Sequence, residues 1–294
     1  LGVEQTCTDL SEALRDPELA AVSLCTPHPL HCPQAVAAAE AGKHVLVEKP
    51  MAMTVAEATC MLEAASANGV QVYVAESATY TPMARYLRQV VETGEPTGEL
   101  TAASVTSGFR GPDYGYPGRR AWLGEPSQGG TGTWMLHGIH TVGQLRYVLG
   151  EVRAVYATEH KASSFQRREL EGTMSLQLTL ESGITASVLQ TAESKLYGDL
   201  QGYVLHGDRG SLRATAEGAR PYTDEEDGTW VSYPESAMSS FALELEAFSD
   251  HVSGVAEGPT TGVSERRSLA IVEAGYESAR TGQPVDLRER FGEL

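Results

Sequence analysis

A lysine and a histidine that lie far apart in the sequence have the clearest potential for proton chemistry. The apolar run 45–47 is followed by Glu48, Lys49 and Pro50. A short apolar run of this kind predicts a buried parallel strand, and ligands of open α/β sheets bind beyond the carboxyl ends of such strands. Because Pro50 disfavours a helical conformation of Lys49, we expect the lysine at the strand tip; the alternative is a charged loop after a core strand.

His140 lies in a predicted helix over residues 134–149, which follows the glycine-rich loop 129–132. An imidazole titrates near neutrality, and a lysine can orient an alcohol oxygen and stabilise the negative charge that develops on it. Together the two side chains would suit removal of a proton from a hydroxyl while hydride leaves its carbon. Thr26 and Pro27 end the preceding predicted strand, so we expect them at the same edge of the sheet.

The elements that must position these residues fall into two groups. Residues 1–81 alternate helical patterns with short apolar strands at 20–25, 45–47 and 70–75, which predicts βαβ units and part of a doubly wound parallel sheet. Residues 82–294 predict an α+β domain with a large, mostly antiparallel sheet. Its expected strands are 99–109, 151–160, 172–181, 184–193 and 200–206. We interpret 215–235 as a solvated loop and expect the final helices to pack back on the first domain.

Composition narrows the functional classes. The chain has 294 residues and a net charge of −17, and this charge argues against a nucleic-acid partner. No apolar run is long enough to span a membrane, and the four cysteines show neither zinc spacing nor a disulfide pattern, so a cytoplasmic location is the simplest expectation. The chain begins at Leu1 without a methionine, and we interpret it as a fragment.

The sequence resembles the Gfo/Idh/MocA oxidoreductases, a family of glucose–fructose oxidoreductase-like and inositol dehydrogenase-like enzymes. The resemblance covers essentially the whole chain. It is carried by residues 23–31, by the Ala-Gly-Lys-His-Val…Glu-Lys-Pro run at 41–50, by the Gly129-Gly130 loop, by Gly138-Ile139-His140 and by residues 268–274. It implies an N-terminal Rossmann domain that binds NAD or NADP, a C-terminal α/β domain, and a homo-oligomer (dimer or tetramer) formed through the C-terminal sheet.

The resemblance also implies roles for individual residues. Lys49 matches the catalytic lysine that orients the substrate, and His140 matches the histidine of the family's Asp-x-Gly-x-His-x-x-Asp pattern. The implied cofactor-binding residues are Thr26, Pro27, His31, Glu48, Lys49 and Pro50. The expected substrate contacts are Lys49, Trp122, His137 and His140. Tyr114 and Tyr116 are better explained as packing or lid residues.

Two departures from the family pattern concern the site. The aspartates of the pattern fall on Leu136 and Gly143, so we expect the imidazole of His140 to lack its orienting carboxylate. His137 is a candidate to take over that function; the alternative is a surface or substrate-contacting histidine. No carboxylate or cysteine lies near the two histidines in the sequence, so we predict no metal site.

The second departure is the absence of a G-x-G-x-x-G fingerprint, which in Rossmann domains holds the pyrophosphate at a helix N-terminus. The nearest run, at Gly130 and Gly132, has Met135 where a glycine is required. The first strand, the first helix and the second strand of such a domain have no counterpart here. We therefore expect the chain by itself to bind a dinucleotide poorly.

The sequence thus predicts an NAD(P)-dependent oxidoreductase that acts on a secondary alcohol of a sugar, cyclitol or related polyol, a small-molecule substrate. Two alternatives stay open. One is a dehydrogenase of a non-sugar cyclic or aromatic diol. The other is a regulator that binds NAD(P) without turnover, which the loss of both family aspartates would favour.

Overall fold

The structure, a computed structural model, is built on two β-sheets, and it describes residues 5–108, 118–161, 169–194, 200–224 and 228–294. The smaller sheet has three parallel strands in the order β1-β2-β3: β1 Ala21–Leu24, β2 His44–Glu48 and β3 Val72–Ala75. The register pairs Leu24 with Val47 and Glu48 with Ala75, so all three strands end at one edge. The parallel sheet predicted for the N-terminal part is confirmed.

Three α-helices belong to this part of the described chain, and the first and the last of them have an N-terminal side-chain cap. They are α1 Leu10–Leu14, α2 His31–Glu40 and α3 Val55–Ala67. The Asp9 carboxylate accepts a hydrogen bond from the Ser11 amide at 2.9 Å, and the Thr54 hydroxyl accepts one from the Glu57 amide at 3.2 Å. Each contact satisfies an amide that the first helical turn leaves without an intrahelical acceptor.

A short turn, Ser77–Tyr80, and helix α4 Pro82–Thr93 lead to the larger sheet. Its strand order is β10-β9-β8-β4-β7-β6-β5-β11, and of these neighbours only β4 and β7 run parallel. The strands are β4 Leu100–Gly108, β5 Val152–His160, β6 Thr173–Leu180, β7 Thr185–Thr191, β8 Gly202–Gly207, β9 Gly210–Ala214, β10 Ala219–Thr223 and β11 Val285–Asp286. The predicted mostly antiparallel sheet is therefore confirmed.

One face of the larger sheet is covered by helices and the other is open. Along β6 the buried residues Met174, Leu176, Leu178 and Leu180 alternate with exposed polar ones, as expected when one sheet face packs on the core. The helices of the C-terminal part are α5 Ile139–Leu149, α6 Ser240–Val252, α7 Gly262–Thr281 and α8 Leu287–Phe291. On the open face, Tyr156 and Leu189 are large apolar side chains exposed to solvent.

Helix α7 contacts both sheets. It packs along β5 of the larger sheet and against α3, and the Val55 amide donates to the Glu273 carboxylate at 2.9 Å. A β-bridge between Tyr73 and Thr261 ties the start of α7 to the outer edge of β3. The last long helix therefore holds the carboxyl ends of the small sheet beside the large one. No helix in the described part of the chain is long and apolar enough to cross a membrane.

Two local expectations differ from the structure. The stretch 215–235 is not only a solvated loop, because β10 lies within it, pairs with β9 and buries Ala219. A short edge strand with polar side chains lacks the alternation that marks a half-buried strand, which is why the sequence pattern misses it. The helix predicted over 134–149 begins with a π-helical turn, Trp134–Gly138, and becomes α-helical only at Ile139.

Candidate functional site

Lys49 lies just beyond the carboxyl end of β2, where its ammonium group faces the C-terminal part. Its Nζ donates a hydrogen bond to the carbonyl oxygen of Leu136 at 2.8 Å. Burial lowers the pKa of Lys49, and the nearby carboxylates of Glu76 and Glu48 partly oppose this shift. The structure thus places a partly desolvated lysine at the sheet edge, with a backbone carbonyl that fixes its direction.

The π-helical turn that supplies this carbonyl is anchored by Trp134. The indole Nε1 donates to the carbonyl of Val272 on α7 at 3.2 Å, and the side chain is fully buried. A Cβ on Gly138 would lie 2.1 Å from the indole ring, so only glycine fits there. π-Helical turns are frequent at functional sites because they redirect helix side chains and carbonyls. Here the turn aims one carbonyl at Lys49.

His140 follows on the first turn of α5, and its imidazole is paired with a buried carboxylate. Its Nδ1 lies 2.6 Å from Oε1 of Glu76, which also accepts the amide hydrogen of Ala78 at 3.0 Å. The Glu76 side chain has no exposed surface, whereas 30% of the His140 side chain is exposed. Burial alone would raise the pKa of Glu76, but His140, the Ala78 amide and Lys49 together hold it below its ordinary value.

The expectation that His140 lacks an orienting carboxylate is therefore wrong. The carboxylate comes from the end of β3, 64 residues away in the sequence, and not from the helix that carries the histidine. Gly143 makes room for it, because a Cβ there would lie 3.3 Å from Cγ of Glu76. A sequence signal existed: Glu76 is a charged residue directly after a strand, the same criterion that singled out Lys49.

Two further histidines of the site, His137 and His28, are held neutral. Burial lowers the pKa of His137 to about 3, and the charges of Lys49 and His140 lower it further. Burial likewise lowers the pKa of His28 to about 3, with contributions from His31 and Lys49. The charge of Lys49 contributes to both shifts, and neither imidazole is suited to take up a proton near neutral pH.

His28 was not identified from the sequence, although it lies between two predicted site residues. It is buried in the short turn after β1, and Trp122 packs edge-on against it with ring centroids 4.7 Å apart. Trp122, predicted as a substrate contact, thus reaches across from the C-terminal part to the loop after β1. Tyr114 and Tyr116 lie outside the described residues.

The loops after β1 and β2 are joined by His31. Its ring nitrogens lie 2.9 Å from the Pro50 carbonyl oxygen and 2.8 Å from that of Thr26, and the side chain is fully buried. Any effect of His31 on a bound cofactor therefore passes through these two loops. Thr26 donates to Gln34 at 2.7 Å, and Glu48 accepts the Lys49 amide at 3.1 Å.

A cavity of about 250 Å³ opens beside His140, between α5 and the larger sheet. This volume lies below the range of about 300–1,000 Å³ that is typical of drug-sized ligands, and it suits a smaller molecule. His140 lines this cavity together with Tyr203, and burial raises the pKa of Tyr203 far above its ordinary value. The polar groups lining the cavity are Thr106, Ser107, Thr141, Gln144, Gln201 and Tyr203.

Glu171 positions the start of the π-helical turn. Its Oε1 accepts the Trp134 amide at 2.7 Å and the Tyr276 hydroxyl at 3.0 Å, and that hydroxyl accepts the Met135 amide at 3.0 Å. A Cβ on Gly132 would clash with the same carboxyl group. Burial raises the pKa of Glu171 to about 7, although these hydrogen bonds oppose the shift.

This shift predicts a pH dependence of stability. Between the ordinary pKa of 4.5 and about 7, the folded state keeps a proton on Glu171 that the unfolded state has released, so stability falls as pH rises through this window. We expect the difference in unfolding free energy between the native protein and Glu171→Gln to change by about 3 kcal/mol across it. Chemical denaturation of both proteins at the two ends of the window measures this difference. If the unfolding free energies of the two proteins change equally with pH, the expectation is contradicted.

Within the described part of the chain, no group of three or more histidine, cysteine, aspartate or glutamate side chains is arranged to hold a metal ion.

A parallel α/β sheet and a second, mostly antiparallel domain meet around a part-buried lysine and a carboxylate-paired histidine. Residues 1–76 match the family model "Oxidoreductase family, NAD-binding Rossmann fold", and residues 84–213 match "GFO/IDH/MocA C-terminal domain". The chain belongs to the Gfo/Idh/MocA oxidoreductase family, as its sequence resemblance indicated.

Several relatives align over nearly the whole chain. It is 29% identical to 1,5-anhydro-D-fructose reductase of Ensifer adhaerens, covering 97% of this chain and 85% of the relative. It is 25% identical to myo-inositol 2-dehydrogenase of Thermotoga maritima, with coverages of 99% and 87%. The crystal structure of aldose-aldose oxidoreductase from Caulobacter crescentus complexed with glycerol superposes with a TM-score of 0.82 at 26% identity, over 94% of this chain and 82% of that one.

Proposed function

We propose that this protein oxidises a secondary alcohol of a sugar, cyclitol or related polyol with NAD or NADP. The observation that carries the proposal is the pairing of His140 with Glu76 beside the Lys49 ammonium group, at the carboxyl ends of a parallel sheet. The relatives named as acting on an anhydro sugar and an inositol support the same substrate class. The uncharged polar lining of the cavity beside His140 favours a neutral polyol over a phosphorylated or carboxylated one.

In this mechanism Lys49 orients the substrate and His140 moves the proton. The ammonium group donates a hydrogen bond to the alcohol oxygen and stabilises the negative charge that develops there. With Nδ1–H of His140 donating to Glu76, Nε2 is left to accept the hydroxyl proton. The Glu76 carboxylate then stabilises the imidazolium that forms.

The residues at the edge of the small sheet fit the nicotinamide end of a dinucleotide. Among the residues that the structure describes, the buried Nδ1 of His28 just beyond β1 has no hydrogen-bond partner, and β1 and β2 end side by side. Thr26, Pro27, Glu48, Lys49 and Pro50 would hold this end of the cofactor. A nicotinamide bound there would supply the acceptor for the hydride of the carbinol carbon, so that the alcohol becomes a carbonyl.

We further propose that the chain from Leu1 to Leu294 binds a dinucleotide weakly by itself, because its sequence contains no G-x-G-x-x-G fingerprint. Activity measurements should compare the chain as given with a version that includes any upstream coding sequence.

We also propose that the open face of the larger sheet forms the contact between subunits. The molecular mass of the protein in solution would test this.

The reaction class is tested by following deuterium. A panel of hexoses, pentoses, cyclitols and an otherwise unsubstituted cyclic diol, each deuterated at the reacting carbon, is incubated with NAD and separately with NADP. We expect deuterium in the reduced nicotinamide for at least one polyol. Transfer from the simple diol alone would favour the non-sugar dehydrogenase, and cofactor binding without any transfer would favour the regulator. The Glu76–His140 pair makes the regulator less favoured, since its motivation was a histidine without a carboxylate.

A further inference from the structure

Gly143 separates two buried carboxyl groups from different parts of the chain. A Cβ at this position would lie 3.3 Å from Cγ of Glu76 and 3.5 Å from Oε2 of Glu265 on α7. Glu76 and Glu265 are 0% and 3% exposed. In the described structure, Oε2 of each has no hydrogen-bond partner. Two carboxyl groups are therefore brought close together, away from water, at the position where a side chain is missing.

The charges around Glu265 do not neutralise it fully. The charge of Arg146 acts on Glu265, but the guanidinium hydrogen bonds of Arg146 go to Glu151, Ser264 and Ser268. The charges of Glu76 and Glu151 raise the pKa of Glu265, and Arg146 lowers it. With burial as the largest cause, the result is a pKa of about 7.

The side chains that act on Glu76 favour its negative charge, unlike the net effect of those around Glu265. His140 and Lys49 face Glu76 from α5 and from the end of β2, and both favour its ionised form. A further acid, Glu244 on α6, has its pKa raised to about 8 by burial and by the charges of Glu48 and Glu76. Of the two carboxyls beside Gly143, Glu76 is thus favoured in its ionised form, whereas Glu265 keeps its proton up to about pH 7. Closely spaced carboxyl groups with opposed shifts are a recurrent device for tuning acid–base chemistry.

We propose that Glu265 is a positioning residue for the proposed reaction, holding a proton whose release is coupled to Glu76 and, through Glu76, to His140. This inference rests on the proposed function for its catalytic meaning. When Glu265 ionises, the second negative charge beside Glu76 raises the proton affinity of the Glu76–His140 pair, so a larger fraction of the pair is already protonated and cannot accept the hydroxyl proton. The absence of a side chain at position 143 is what permits the coupling.

The coupling can be measured without turnover. The amide of Gly143 lies beside both carboxyl groups, so protein labelled with ¹⁵N-glycine reports their ionisation, and Gly143→Ala identifies the signal. We expect a titration with a midpoint near pH 7 that disappears in Glu265→Gln. In Glu76→Gln the repulsion is removed, and the midpoint should fall by about one pH unit. Glu171→Gln, a matched change of another buried glutamate, should leave the midpoint unchanged.

A midpoint that is unaffected in Glu76→Gln would overturn the coupling, and this comparison needs no substitution at Glu265. Persistence of the titration in Glu265→Gln would show that another group is responsible and would also overturn it. In the active enzyme, the pH profile of kcat/KM should lose an inflection near pH 7 in Glu265→Gln with KM little changed. An unaltered profile would overturn the positioning role. A coupled titration in a protein that oxidises no polyol would support the coupling and contradict the proposed function.

Discussion

Replacing Lys49 by methionine is expected to lower kcat by about 10³-fold, because the variant keeps the length of the side chain but loses its charge and its hydrogen bonds. In the structure the ammonium group is held by the Leu136 carbonyl and partly desolvated, so its interaction with a developing alkoxide is less screened than in water. The measurement is steady-state oxidation of the best polyol with NAD or NADP.

The matched control is Lys43→Met, at the opposite end of the same strand region. Lys43 donates to the Asp16 carbonyl at 2.7 Å and takes no part in the site. We expect this variant to keep its turnover even if its melting temperature falls. A Lys49→Met protein with unchanged unfolding and a loss of kcat below about tenfold would remove Lys49 from the mechanism.

Lys49 could be identified from the sequence because its position depends on local signals. A buried apolar strand followed by Glu-Lys-Pro fixes a charged residue at a strand tip, and the strand itself is found at His44–Glu48. The helix starts at Thr54 and Ser239 and the hairpin between β6 and β7 likewise depend on neighbouring residues. Such features are encoded within a few residues of where they occur.

Glu76 was missed because its role depends on a contact across the two domains. The Asp-x-Gly-x-His-x-x-Asp pattern directs attention to one helix, where the two carboxylate positions are occupied by Leu136 and Gly143. Nothing in local spacing indicates that the end of β3 meets α5, since the meeting depends on how α7 joins the two sheets. Short polar edge strands such as β10 were missed for a related reason: their partners, and not their sequence pattern, define them.

Glu76→Gln is expected to lower kcat by about 10²-fold or more while KM changes little, because the amide keeps the volume and still accepts a hydrogen bond but cannot stabilise an imidazolium. The sign of the pH effect follows from the lowered pKa of Glu76. The native pair contributes stability above the ordinary pKa of 4.5, and this contribution is lost as pH falls through the lower folded value. Kinetics and acid unfolding of the same variant therefore probe one interaction by two routes.

The sharper test moves the carboxylate to the position where the family pattern has it. In Glu76→Ala the space beside Gly143 opens, and Gly143→Asp then places a carboxylate three residues after His140, on the same helix face. Since Gly143→Asp alone would crowd Glu76, we expect it to impair the enzyme by itself. Combined with Glu76→Ala, it should raise kcat about tenfold above that of Glu76→Ala alone. A double-mutant cycle isolates this coupling. If the double variant is no better than Glu76→Ala, the carboxylate of Glu76 does not serve His140 in the way proposed here.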